Sequence, residues 1–210
     1  MTNAKITKNS TSSEGSIKEI LTVAFPLIIA SATHTVLTFT DRMFLSWYSA
    51  DCIAASGPAS ILSYSFICFF IGTGTYLNTI MAQYSGAKKR FYITKALWQG
   101  IYFGLLSSAA IVMLIPAGNM FIAHSEHGKQ VIILEKSYFS LLMYGGGLAV
   151  MGSVFSSFFS GRGRTRPVMI ITLISTTINI LLDYILIFGK FGFPALGIVG
   201  AGIATLLSHS

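Results

Sequence analysis

Residues 167–189 read PVMIITLISTTINILLDYILIFG, a run with one charged side chain in it, Asp183. About 20 apolar residues cross the hydrocarbon of a bilayer. A carboxylate inside that layer costs several kcal/mol unless it is paired, protonated or watered. The first long apolar run ends in the same way: Ile20 to Thr40 is uncharged and Asp41 follows at once. Two acids at matching places in two lipid-compatible runs point to an ion or proton pathway through a protein of several spans.

Composition agrees. Of the 210 residues, 53% are hydrophobic and 10% are charged, where a soluble domain carries about 25%. Four more uncharged stretches run from Cys52 to Ala87, Ala96 to Ser125, Ser137 to Gly161 and Phe191 to Ser210. Together these predict an all-α, polytopic membrane helix bundle of six transmembrane helices over residues 17–210, the sixth just long enough and cut short at Ser210. Residues 1–16 are polar and read as a disordered cytoplasmic tail. They lack the compact basic region, short apolar core and cleavage site of a secretory signal.

The formal net charge of +7 does not indicate nucleic acid, because the basic residues flank apolar runs rather than forming a stripe. Lys5, Lys8 and Lys18 precede the first run. Lys88, Lys89, Arg90 and Lys95 lie between the second and third, and Arg162, Arg164 and Arg166 between the fourth and fifth. Only Arg42, Lys129, Lys136 and Lys190 fall on the other side. This bias predicts a multi-pass protein of the plasma (inner) membrane, embedded in the lipid bilayer, with its N-terminus in the cytoplasm. Cys52 and Cys68 form neither a disulfide framework nor a metal-ligand spacing. His124, Glu126 and His127 form a short loop set without a fourth ligand, so no metal is expected. The Arg162-Gly163-Arg164 segment reads as a tight basic turn, because no strand precedes it to build a phosphate cradle. With no nucleophile–base pair in view, the chain is not expected to be an enzyme or to need a cofactor.

Within the runs, the first helix extends from Ile17 to about Trp47, with Pro26 in its first turns and Trp47 and Tyr48 as an interface belt. Gly57-Pro58 marks the start of the second. Pro116 and Gly118 bend the outer end of the third. Gly145-Gly146-Gly147 makes the fourth, which starts at Ser137, either flexible or tightly crossed. Pro167 opens the fifth. The sixth, from about Ala195, has a smooth face of Gly197, Gly200, Ala201, Gly202 and Ala204. Asp41 lies about 9 Å below Trp47 and Asp183 about 10 Å below Lys190, so both acids share a depth in the outer half.

Helical spacing places His34, Thr38 and Asp41 on one face of the first helix, and Thr172, Thr176, Asn179 and Asp183 on one face of the fifth. If these faces meet, they line a wet cavity with two carboxylates, an amide and hydroxyls. Such oxygen ligands suit sodium, and they also suit a proton, because neighbouring carboxylates resist carrying charge together. The plainer alternatives are Asp41 neutralised by Arg42 and Asp183 as a helix-end residue near Lys190. Consecutive helix residues point about 100° apart, so Arg42 is not the natural same-face partner of Asp41. His34 reads as either a packed, hydrogen-bonded histidine or a proton relay. Most other hydroxyls are expected to bond their own helix backbone.

The order of these signals resembles the N-terminal lobe of the multidrug and toxic compound extrusion (MATE) transporters. The resemblance is carried by Pro26 to Asp41, Ala54 to Gly57, Met81 to Ala87 (MAQYSGA), Arg162-Gly163, Pro167, Ile178 to Gly189 (INILLDYILIFG) and Leu196 to Ala201 (LGIVGA). It implies a twelve-helix fold of two six-helix lobes around a central cleft. The lobes would rock to give alternating access, exporting small organic cations against an inward flow of protons or sodium. It also implies a coupling site of Asp41, Asn179 and Asp183. Thr205 is a supporting position, as is Ser156 or Ser157 where some members carry an asparagine. The segment Trp47-Tyr48-Ser49 lacks the glycines common in the family. One lobe alone has half a cleft, so the missing C-terminal lobe or a second copy is an expected partner. The rivals are a lipid-linked saccharide flippase of the same superfamily, which needs a more cationic cavity, and a non-transporting truncated membrane scaffold. As a topological test, Gly163→Cys should be labelled by a membrane-impermeant thiol reagent only from the cytoplasmic side. His127→Cys should be labelled only from outside; reversed labelling would refute the orientation.

Overall fold

The computed structural model describes residues 17–209; the expected tail over residues 1–16 lies outside them. Seven helices follow in order: α1 (Ile17–Tyr48), α2 (Ala50–Gly86), α3 (Arg90–Met113), α4 (Ile115–Ala123), α5 (Lys129–Ser160), α6 (Arg166–Phe188) and α7 (Ile198–His209). Every backbone group in lipid must find its partner within the protein, and helices achieve this locally. Five stretches are long and apolar enough to cross a membrane: residues 20–48, 50–86, 90–123, 129–160 and 166–188. The sixth expected helix is α7, with 12 described residues. At 1.5 Å per residue that is about 18 Å, short of the roughly 30 Å hydrocarbon layer.

Three boundaries differ from the sequence expectation, each for a local reason. α2 starts at Ala50 rather than at Gly57-Pro58, because Ser49 caps it by accepting the Asp51 N–H at 3.2 Å. Pro58 therefore sits inside the helix. The third span is broken, not merely bent. Its helix stops at Met113 and restarts at Ile115 with Pro116 in the new first turn, because proline has no N–H to donate to the Val112 carbonyl four residues back. α5 begins at Lys129 instead of Ser137. The charges of Glu135 and Lys136 suggested a loop, but Glu135 is buried inside the helix and its Oε1 lies 2.8 Å from Nδ1 of His127.

α5 is the centre of the bundle and packs against α2, α3, α4 and α7, while α1 lies chiefly along α6. Phe139, Met143 and Val150 of α5 join Ile111, Ala55 and Ala59 in the core, all essentially sealed from solvent. The triple glycine of α5 is a crowded crossing: a Cβ on Gly146 would stand 2.7 Å from Ile67, and one on Gly147 2.3 Å from the Ser108 hydroxyl and 3.0 Å from its Cα. The small face of α7 does what its residues suggest. Ala201 and Ala204 are buried, and Gly200 lets the helix approach the Leu186 backbone, where a Cβ would come within 2.7 Å.

At their C-terminal ends, α1 and α6 are clasped by aromatic rings. Phe44 stacks at 5.8 to 6.1 Å from Phe188, Tyr184 and Trp47. Phe44 is one turn beyond Asp41, and Tyr184 directly follows Asp183, so this clasp sets the two acids in register. α6 closes on Gly189, whose φ of 67° is the left-handed cap glycine adopts without strain. Gly147→Val should cost about 1–3 kcal/mol through overpacking, seen as a lowered midpoint of thermal unfolding in detergent. Gly152→Ala, where nothing lies within 4 Å, should leave the midpoint in place.

Candidate functional site

Asp41 on α1 and Asp183 on α6 come together. Their carboxyls are within hydrogen-bonding reach of each other. Asp183 is fully buried, as is Asn179 one turn away on the same face of α6. Apart from the contact with Asp41, neither oxygen of Asp183 has a hydrogen-bond donor among the described residues. Carboxylate oxygens are acceptors only, so two of them hold together when a proton or a cation sits between them. Asn179 donates its Nδ2–H to the Ser208 hydroxyl at 3.1 Å, and its Oδ1 accepts nothing among the described residues. Three acceptor-bearing side chains therefore converge in one buried place.

Asp41 also faces an open chamber of about 400 Å³. α1 contributes His34, Thr38, Asp41 and Arg42 to its wall; α2 adds Ser56, Ser60 and Ser63; α5 adds Tyr138 and α7 Thr205. A second chamber of about 490 Å³ shares His34, Leu37 and Ala149 with the first and is lined by Ser156, Thr172, Ser175, Thr176 and Ser208. The two polar stripes thus meet, but not as a single cavity. Asp183 and Asn179 lie behind the walls, and the threonines of α6 open into the second chamber.

The supporting positions divide in the same way. Thr38 and Thr205 reach the first chamber, yet their hydroxyls donate to the carbonyls of His34 and Ala201 at 3.1 and 2.9 Å. His34 is exposed and borders both chambers. Thr176 is buried beside the second chamber and Ser156 lines it. Ser157 is on neither wall; it is buried against α2, its hydroxyl 3.5 Å from the Thr75 carbonyl.

Tyr138 and Ser208 were not singled out in the sequence. The Tyr138 phenol is buried, is hydrogen-bonded to the Ser60 side chain, and stands close enough to feel the charges of Asp41, Asp183 and Arg42. The available signal was a hydroxyl on an apolar helix, which needs a polar partner when buried. Ser208 lies at the far end of the chain, 29 positions from Asn179, and nothing local announces the pairing. No cluster of metal-ligating side chains occurs among the described residues; His127 is instead engaged with Glu135.

Comparison with known proteins places this geometry among relatives. The family described as MatE matches residues 26–185. The chain is 34% identical over 204 residues to "Probable multidrug resistance protein NorM" of Oceanobacillus iheyensis, covering 95% of this chain and 45% of that protein. It is 32% identical over 194 residues to "Multidrug resistance protein NorM" of Photobacterium profundum, covering 91% and 42%. Among solved structures it is similar to the outward-facing conformation of a multidrug resistance MATE family transporter, at 23% identity and a TM-score of 0.75, covering 91% of this chain and 42% of that one. A second, a MATE in complex with MaD5, gives a TM-score of 0.79 at 22% identity, covering 91% and 43%. These structural likenesses carry the fold, and the chain spans under half the length of the relatives it matches. Ser208→Ala should strand the buried Asn179 amide and cost about 1–3 kcal/mol, measured as a lowered unfolding midpoint. Thr38→Val, which removes only a bond to its own helix, should change the midpoint little.

Proposed function

The chain belongs to the MatE family, and we propose that it forms the N-terminal half of a cation-coupled antiporter exporting small organic cations, including drugs, by alternating access. The observation that carries this reading is the meeting of the Asp41 and Asp183 carboxyls in the interior of a membrane bundle. No purely structural contact needs that arrangement, since an apolar pair of the same volume is at least as stable.

The meeting of the two acids supports the following mechanism. Loaded with a proton or a sodium ion, the acid pair is held together, and α1 rests against α6. Emptied, two negative charges about 4 Å apart repel by roughly 4 kcal/mol at an effective dielectric of about 20. That is enough to shift a two-state equilibrium by hundreds of fold. Asp41, which borders the open chamber, then turns toward it and presents its charge to an organic cation. Ion and cation thus compete for one carboxylate, which is the condition for antiport. Asn179 supplies a further oxygen to the bound ion, and Tyr138, anchored by Ser60, positions the acid pair. His34, Thr38, Thr176, Ser156 and Thr205 tune hydration around it. The other lobe, from the same polypeptide or from a second copy, would close the cleft. The same reading puts the protein in the plasma membrane with its N-terminus inside.

One feature favours a lipid-linked saccharide flippase instead: Arg42 lies on the chamber wall beside Asp41. A pyrophosphate-bearing substrate would need more than this one guanidinium, because no other Lys or Arg lines the chamber. In cells expressing the protein, ethidium efflux should fall to the vector background in Asp41→Asn and Asp183→Asn at unchanged expression. Full efflux by either variant refutes the coupling role. Flux driven by separate proton and sodium gradients identifies the ion.

A further inference from the structure

An open groove of about 700 Å³ runs between the N-terminal halves of α1 and α6, on the side away from the acid pair. Its walls are Ile17, Leu21, Phe25 and Ile29 of α1 and Met169 of α6, with Arg166 at one end. The groove follows α1 from Ile17 to Ile29, about 18 Å at 1.5 Å per residue. One leaflet of bilayer hydrocarbon is about 15 Å thick. Leu21 and Phe25 are exposed, so the apolar floor is uncovered by any described part of the chain.

The charged end is built for an anion. α6 begins at Arg166 with Pro167 next to it, and Thr165 offers no side-chain cap, so the first N–H groups point outward from the positive end of the helix dipole. Ile17, the first described residue of α1, lines the same groove. Arg162 is committed elsewhere: its Nε donates to the Phe158 carbonyl at 3.0 Å and its guanidinium lies 3.7 Å from the centre of the Phe158 ring. Arg166 is exposed at the mouth of the groove. A leaflet-length apolar channel ending in a guanidinium and the N-terminus of α6 matches one chemistry, an acyl chain joined to a phosphate.

We propose that this groove binds an anionic phospholipid, with its phosphate at Arg166 and one acyl chain along Leu21, Phe25, Ile29 and Met169. The site is independent of the transport reading. It would fasten α1 to α6 at the end opposite the aromatic clasp, so that only the middle of α1 is free to respond to the acid pair.

The test is native mass spectrometry of the protein released from nanodiscs of 70% phosphatidylcholine and 30% phosphatidylglycerol, proportions set by the experiment as about the anionic content that gives a strong surface field. Phosphatidylglycerol should be retained in preference to phosphatidylcholine. Arg166→Gln should lower its retention about fivefold, the worth of one basic residue at a lipid surface, and Met169→Trp, which fills the channel, should lower it as well. Arg164→Gln, off the groove, should leave it unchanged. Equal retention of the two lipids, or equal loss in Arg164→Gln and Arg166→Gln, overturns the proposal. So does a lipid-free protein in which Leu21→Cys, in a Cys68→Ser background, is shielded from a thiol reagent, because a polypeptide would then cover the groove.

Discussion

At one contact in the interior of the bundle, the carboxyl of the sealed Asp183 meets that of the half-buried Asp41. In a medium that cannot solvate them, they stay together only with a positive charge between them. Asp183 and Asn179 are held on the sealed face of α6, which α7 covers through its glycine and alanine surface. Asp41 sits on α1, the helix with the fewest buried positions among the membrane-spanning stretches. The pair therefore joins a fixed element to a lightly held one.

The scaffold explains why the strain of the pair does not spread. α5 touches α2, α3, α4 and α7 and packs them through residues with no exposed surface. Interiors of that density do not deform continuously. α1 is instead tied to α6 by rings at its C-terminal end. In the proposed mechanism, a change in charge at Asp41 would move α1, whose membrane-spanning stretch has the smallest buried share. The chamber beside it, with serines, Tyr138 and Arg42 on its walls, is the space that such a motion would fill or open.

The membrane fold was legible because lipid imposes a length and a composition, and both can be read without knowing any contact. The acid pair was legible for the same reason: a charge inside an apolar run is costly wherever the helices go. Boundaries were less legible. Pro58 looked like a helix start, yet a cap at Ser49 overrides it. Glu135 looked like a loop residue, yet it is buried in α5 with its carboxyl 2.8 Å from the His127 ring. Ser157 was indistinguishable from Ser156 by sequence, though helix rotation sends one to a chamber and the other to α2. Tyr138 and Ser208 stayed hidden because their partners, Ser60 and Asn179, are distant along the chain. Helical periodicity told which residues share a face; it did not tell which face meets which.

The central claim is that one positive charge bridges Asp41 and Asp183 and is displaced by an organic cation. It is tested most directly by adding a membrane-impermeant organic cation to the purified protein in lightly buffered, then sodium-free, nanodiscs while counting protons and sodium ions released. The account predicts release of about one positive charge per bound cation, and none from the Asp41→Asn protein. Binding of the cation with no release of either ion would contradict it.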